Sequence, residues 1–369
     1  MTRPKTAIVL FNLGGPDSLA AVGPFLRNLF TDPAILRVPF FIRPWLARRI
    51  ARARVAPATE NYQRLGGRSP LLDLTEQQAR ALEAALPELE ARCFIAMRYW
   101  HPFSLEAAAA VKAWDPDEVV LLPLYPQYST TTTGSSLDAW REAAVQVGLV
   151  KPVTTLCCYH GDPGFIAATA ALVRAHHDQA RAALPAEVPL RVLFSAHGLP
   201  EIIIRGGDPY QFQVESTVAA VVQAMELPAL DHVVCYQSRA TPQQWIEPAT
   251  DAEVARAAAD GVALLVVPIA FVSEHVETLV ELDVEYAELA HRLGVPGYFR
   301  VPTQNADPGF IAALSDLVWR ARAGGSGLCS FAGGTTCPAP FGACPHVRGG
   351  AAFAPAAPGE DGNAAALAA

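Results

Sequence analysis

No apolar run in this 369-residue chain reaches the roughly 18–20 residues that a bilayer-spanning helix needs. The longest candidate, Val262–Val272, is about half that length and contains Pro268. An excess of positive charge is missing too. Lys and Arg total 28 against 36 Asp and Glu, a net charge of −8, which argues against nucleic acid as a partner. The seven cysteines are odd in number, so a closed disulfide framework is not expected. A secretory signal is also not expected: in "MTRPKTAIVLFNLGGP" only Ala7–Phe11 is apolar before Asn12, which suits a first strand better than a signal core. These absences leave a cytoplasmic protein as the expectation. Apolar residues are plentiful at 51%, enough for a large core in two domains. The low-complexity tail 349–369 has no apolar periodicity and is expected to be disordered.

An internal repeat organises the remainder. "DPGFIAATAALV" (162–173) and "DPGFIAALSDLV" (307–318) agree at nine of twelve positions, 145 residues apart, and each predicts a helix start with Asp as N-cap and Pro at the first helical position. At the same offset "VVLLPLYPQYS" (119–129) faces "LLVVPIAFVS" (264–273). "VLFNLGGP" (9–16) resembles "VLFSAHGLP" (192–200) at an offset of 183, so the first half carries about 38 extra residues. Strand-like runs alternating with Ala/Leu/Glu-rich helical stretches predict two parallel α/β domains, 1–156 and 157–322, with a cleft between them. A cysteine-bearing extension, 323–348, would follow. In such sheets ligands sit beyond the carboxyl ends of the strands.

The extra segment includes a stretch at 34–55 in which Phe40, Phe41, Ile42, Trp45 and Leu46 interleave with arginines. From Pro33 to Thr59 there are six Arg and no acid. That composition suits an anionic membrane interface or the mouth of a site for an apolar, acidic ligand. The competing reading is a helix packed on its own domain with a solvated basic face.

Chemistry is expected at two strand ends. His197 follows the buried run "RVLFSA", where an imidazole titrating near neutral pH can serve as a general base. After "VVPIAF" comes an acidic helix: Glu274, Glu277, Glu281, Asp283, Glu285 and Glu288 with no Lys or Arg among them. On an ideal helix the five glutamates share one narrow face, a costly arrangement that makes sense as a path for protons or cations. His275 and Glu277 would meet the ligand at its N-terminal end, as donors suited to ferrous iron in transit. "MRYWHP" (97–102), Trp245 in "SRATPQQWIEP" and the hydroxyl-rich "YPQYSTTTTGSS" (125–136) converge on a large planar anionic ligand.

With these residues assembled, the chain resembles the ferrochelatases, which insert ferrous iron into a porphyrin. The motifs "NLGGP", "MRY", "YPQYS…TTGSS", "FSAHGLP", "YQS…W" and "PIAF.SEH.ETL.ELD.EY" occur in family order from about Ala7 to Arg322. The resemblance implies two similar Rossmann-like domains around a porphyrin cleft, the fold of class II chelatases. It implies a lyase of haem synthesis, with His197 accepting pyrrole protons, Glu277 its partner across the porphyrin and His275 beside it. His197 and Glu277 would also meet the Fe2+ substrate. Glu274, Glu281, Asp283 and Glu285 match the acidic path, on a helix that carries a π-type distortion in the family. Leu13, Arg98, Tyr99, Ser129 and Trp245 match porphyrin-pocket positions. The lip implies protoporphyrin taken up at a membrane surface, by a protein peripheral on the inner face of the membrane, as monomer or homodimer.

Cys329, Cys337 and Cys344 resemble the C-terminal ligands of a [2Fe–2S] cluster in this family, with Cys158 chosen over its neighbour Cys157 as the fourth. Their spacing alone would suit zinc equally. Cys93 and Cys235, in apolar strands, are expected in the core. Three rival readings remain: a coproporphyrin ferrochelatase, a class II chelatase inserting cobalt or nickel into another tetrapyrrole, and a non-enzymatic porphyrin or haem carrier in which His197 is an axial ligand.

Overall fold

The computed structural model describes residues 3–239 and 243–349, so the tail expected to be disordered lies, apart from Gly349, outside the described residues. Numbered in chain order, β1 (Lys5–Asn12), β2 (Glu90–Met97), β3 (Glu118–Pro123), β4 (Val153–Leu156) and β9 (Gly327–Cys329) form one parallel sheet in the order β2-β1-β3-β4-β9. β5 (Leu190–His197), β6 (His232–Gln237), β7 (Ala263–Pro268) and β8 (Tyr298–Arg300) form the other, ordered β6-β5-β7-β8. Without β9 the two orders are the same, and β3 with β7 and β4 with β8 match at the repeat offset of 145. Central strands of parallel sheets are covered on both faces, which is why Ile8–Phe11 and Ala263–Val267 are continuous apolar runs.

The repeated "DPGF" segments start two helices, Pro163–Ala183 and Pro308–Ala323, as expected. The Asp162 and Asp307 carboxylates accept the Phe165 and Phe310 backbone N–H groups at 3.0 Å. The glycines of the motif have a separate role. A Cβ on Gly164 would lie 2.9 Å from Ala313 Cβ, and one on Gly309 would lie 3.4 Å from Ala168 Cβ. Residues 164 and 309 are equivalent in the repeat, as are 168 and 313. The helices therefore cross about a local pseudo-twofold, where each contact occurs twice. Phe165 and Phe310 at that crossing belong to a single core that includes Leu10 and Leu122 of one sheet and Phe194 and Val267 of the other.

The C-terminal segment does not stay with the second half. The Pro308–Ala323 helix packs on the helix Leu71–Ala84 and on β3 and β4, and Arg322 pairs with Glu118 at the start of β3. β9, which falls in the expected extension, is the edge strand of the first sheet, with Leu156 opposite Cys329. Backbone pairing to an open edge decides this, and no periodicity in three residues could announce it.

The extra segment of the first half holds the helix Arg43–Arg64, packed on the helix Val22–Thr31 through Phe25, Leu26, Ala47, Ala51 and Tyr62. Phe40, Phe41 and Trp45 project from its N-terminal end at 78%, 70% and 61% exposure, the exposed lip that the composition predicts. Among the described residues no helix is long and apolar enough to cross a membrane.

Candidate active site

His197 ends β5, opposite Gln237 at the end of β6. The next residue must be glycine, because a Cβ at 198 would meet the Gln237 carbonyl at 2.9 Å and the Trp245 ring at 3.2 Å. That tight turn points the imidazole out of the sheet into the cleft. Its Nδ1 lies 2.6 Å from the Gly198 carbonyl, which can only accept, so Nδ1 carries the proton in the neutral ring. Nε2 is left as the basic atom, 3.8 Å from Glu277 Oε1. The second Glu277 oxygen lies 3.7 Å from His275 Nε2. Burial holds His275 below the usual imidazole range although Glu277 and Glu274 oppose it, and its Nδ1 is buried without a partner.

His197 and Glu277 touch the same small space. A planar aromatic layer needs about 3.5 Å on each face, so a 3.8 Å gap cannot hold a macrocycle between them. The expectation that Glu277 faces His197 across the ring therefore does not describe this geometry. Both groups belong to the second half, and the opposing wall comes from the first.

The acidic segment Glu277–Glu285 is a π-helix, continued by an α-helix over Tyr286–Leu293. The carboxylates here fall into two sets, whereas the ideal-helix projection puts Glu274 on one face with Glu277 and Glu281. Arg300, at the end of β8, donates to Glu274 Oε1 at 2.7 Å and to Asp283 Oδ2 at 2.8 Å, supplying a cation that the local sequence lacks. Glu274 also accepts the Thr303 N–H and the Thr278 hydroxyl. Glu281 lies on the cleft side, where it accepts from Gln237 Nε2 at 2.9 Å, from Tyr286 at 3.1 Å and from the Ser238 hydroxyl. Burial and then the Glu277 charge push its pKa up, so it is the carboxyl here most ready to hold a proton. Glu285 is exposed further along the segment.

Leu13 lines a partly open cavity of about 170 Å³ shared by the two halves, together with Phe25, Leu29, Tyr62, His275 and Glu277. Trp245 stands against the His197 imidazole, their ring centroids 6.4 Å apart. Arg98 is partly exposed, held by Asp32 at 2.9 Å and by Ser135 Oγ at 2.6 Å. Tyr99 does not reach the cleft surface. It is 1% exposed, and its hydroxyl donates to Asp32 at 2.8 Å. Ser129 is fully buried, its hydroxyl 3.0 Å from Asp208, so Thr130 is the nearer hydroxyl to solvent on that loop. Sequence reasoning missed Asp32, Asp208 and Arg300, which orient the expected residues. Their partners lie 66, 79 and 17–26 residues away, so no local pattern marks them.

Five of the seven cysteines gather beyond the carboxyl end of β4. All seven in the chain are free. Cys157 and Cys158 are buried, Sγ atoms 3.3 Å apart, and β9 brings Cys329 alongside, with the Cys157 N–H on the Cys329 carbonyl at 2.9 Å. The chain then folds back: Ala343 N–H bonds the Gly207 carbonyl, and Gln213 Nε2 donates to Cys337 Sγ at 3.1 Å. Cys158 lies near His160 and His346, and it is the thiol that Cys157, Cys329, Cys337 and Cys344 all feel. The hydrogen bond from Cys337 lowers the Cys344 thiol to about 6. The buried ring nitrogens His160 Nδ1 and His346 Nε2 lack partners. Among the described residues no group of three or more His, Cys, Asp or Glu is drawn together as an ion site. The donor chemistry itself, several thiols with orphaned imidazoles in a buried region, fits a sulfur-ligated iron cluster. Cys235, in β6, is in the core as expected, whereas Cys93, in β2, is only half-buried against it.

Residues 5–322 match the ferrochelatase family. The chain is 51% identical over 352 residues to a ferrochelatase of Caulobacter vibrioides, covering 94% of this chain and 99% of that one. It is 52% identical over 353 residues to one of Phenylobacterium zucineum, covering 94% and 100%. Among solved structures, SirB from Bacillus subtilis with Fe3+ superposes with a TM-score of 0.50 over 86% of this chain and 96% of that one. At 13% identity that likeness speaks to the chelatase fold alone.

Proposed function

The chain belongs to the ferrochelatase family, and from that premise we propose that it inserts ferrous iron into protoporphyrin IX. It is a metal chelatase whose substrates are a porphyrin and iron; making protohaem would place it among the lyases. The observation that carries the mechanism is His197 Nε2, unprotonated in the neutral ring and 3.8 Å from Glu277.

A flat porphyrin cannot take metal while its central N–H groups block the hole, so binding must bend the ring and expose pyrrole lone pairs. The cavity of about 170 Å³ is smaller than the roughly 300–1,000 Å³ of drug-sized sites. A macrocycle would have one edge in that cavity and the rest across the open cleft, with Leu13 on one face and the His197–Glu277 pair on the other. Nε2 accepts a pyrrole proton, and Glu277 stabilises the imidazolium that forms. Glu281, already inclined to hold a proton, takes the charge onward to Glu285 and solvent. Glu274 and Asp283, both held by Arg300, position this route and do not carry it. Arg98 suits a ring carboxylate, with Tyr99 fixing it from behind through Asp32, and Ser129 holds the adjoining hydroxyl-rich loop through Asp208.

The exposed Phe40, Phe41 and Trp45 support uptake of apolar protoporphyrin at the inner face of a membrane, with the protein peripheral to it. Cys158, Cys329, Cys337 and Cys344 would hold a [2Fe–2S] cluster, which supplies a one-electron couple and a cross-link when bound.

Anaerobic turnover with ferrous iron, comparing protoporphyrin with coproporphyrin, tests the reading. Insertion into protoporphyrin that falls by about 10²–10⁴-fold in His197→Ala is expected for loss of a general base. Insertion into coproporphyrin alone would overturn the substrate and the lip. Tight porphyrin binding without insertion would leave a carrier.

A further inference from the structure

The basic residues of the lip do not all have the same job. Arg37 donates to Thr130, and Arg43 donates to the Leu36 and Val38 carbonyls, so both tie the segment to the body. Arg49 lies over the Trp45 ring at 5.8 Å. Arg27, Arg48 and Arg52 differ. Among the described residues none of these three side chains has an ion pair or hydrogen bond, and all three line one groove of about 450 Å³ between the helices Val22–Thr31 and Arg43–Arg64. Gly23, Ala51 and Val55 complete its lining, and no carboxylate is present.

Three guanidinium groups converging without a counter-charge repel one another, in a chain whose net charge is −8. The small residues 23 and 51 let the helices approach and leave a floor with no side chain to fill the space. That space holds the equivalent of about fifteen waters at about 30 Å³ each, more than one inorganic phosphate requires. Arg48 and Arg52 are three and seven residues beyond Trp45, so the three share one face of the helix. The groove therefore opens beside the exposed Phe40, Phe41 and Trp45. Aromatic residues that enter an interface next to forked cations that bind phosphate oxygens match a lipid, apolar below its headgroup and anionic at it.

We propose that the Arg27–Arg48–Arg52 groove is a binding site for the phosphate headgroup of an anionic phospholipid, seated while the aromatic tip enters the acyl boundary. This rests on the membrane reading of the lip. It adds a selectivity for anionic lipid, and an orientation of the cleft mouth toward the bilayer, that an apolar tip alone would lack.

Co-sedimentation of the full chain with phosphatidylcholine vesicles, with and without phosphatidylglycerol, tests it. The wild type is expected to prefer the anionic vesicles. The triple variant Arg27→Gln, Arg48→Gln, Arg52→Gln should lose on the order of 100-fold in affinity for them at low salt, keep its thermal midpoint and keep its binding to the neutral vesicles. A control variant, Arg64→Gln, Arg80→Gln, Arg141→Gln, removes the same charge elsewhere and should bind as the wild type does. Equal loss in both variants would reduce the effect to net charge and overturn the site. Equal wild-type binding to neutral and anionic vesicles would overturn it too, leaving the apolar lip intact. Binding to neither vesicle would overturn the lip reading itself. If inorganic phosphate displaces the wild type from anionic vesicles at concentrations where chloride of equal ionic strength does not, the groove serves a soluble anion and the lipid assignment fails.

Discussion

In the proposed reaction, proton chemistry is set by which atom of each side chain is already engaged. The Gly198 carbonyl claims His197 Nδ1, leaving Nε2 for substrate, while burial and the Glu277 charge raise the Glu281 pKa. A carboxyl whose folded pKa is raised stabilises the fold below its unfolded pKa and loses that contribution as pH rises through the folded value. Glu281→Gln removes the ionised form. Its thermal midpoint should exceed the wild type's by about 2 °C at pH 8 and equal it near pH 4, read by calorimetry. Turnover should fall in the same variant, because an amide cannot pass the proton on. A midpoint lowered equally at both pH values would mean that Glu281 acts only as a hydrogen-bond acceptor for Gln237 and Ser238.

At the level of elements, two devices hold the cleft open at its working width. The π-helix Glu277–Glu285 carries Asp283 toward Arg300 on β8, where Glu274 from the preceding loop joins it, and leaves Glu281 on the side of Gln237 and Ser238. Arg300→Met would strand two carboxylates, one of them buried, and should cost about 3 kcal/mol in chemical denaturation. It should also raise the KM for porphyrin as the segment relaxes, whereas an effect on kcat alone would place Arg300 in the chemistry. The second device is the crossing of the two "DPGF" helices, which sets the distance between the sheets. Gly164→Val places methyl groups where Ala313 already stands and should cost about 1–3 kcal/mol. Asp307→Ala removes only a cap and should cost about 1 kcal/mol. Equilibrium unfolding of the two variants separates crossing from capping.

Across the whole molecule, the chain closes on itself. After the second sheet is complete it returns to the first through the Pro308–Ala323 helix and β9, bringing Cys329, Cys337 and Cys344 to Cys157 and Cys158. Gln213, which bonds Cys337, also accepts the Tyr128 N–H. Its helix, Tyr210–Met225, begins at the tyrosine whose hydroxyl donates to the His197 carbonyl at 3.0 Å. The cysteine end and the catalytic end thus share one helix. Protein purified without oxygen should show visible sulfur-to-iron absorption that Cys158→Ser or Cys337→Ser abolishes and Cys157→Ser retains. Loss in Cys157→Ser with retention in Cys158→Ser would reverse the choice of the fourth ligand, and a colourless wild type would remove the cluster.

The sequence by itself determined the two-fold α/β design, the helix starts at Asp162 and Asp307, the strand end that bears His197 and the exposed aromatic lip. Each of these is a local matter of period, cap or composition. Only the tertiary structure decided how the acidic residues divide, which pocket positions reach the cleft and where the C-terminal strand pairs. Arg300, Asp32 and Asp208 act on side chains that are remote in the chain or displaced by a non-ideal helix. Charge pairing and edge pairing depend on distance in space, and spacing along the chain records that only where one regular element carries both partners.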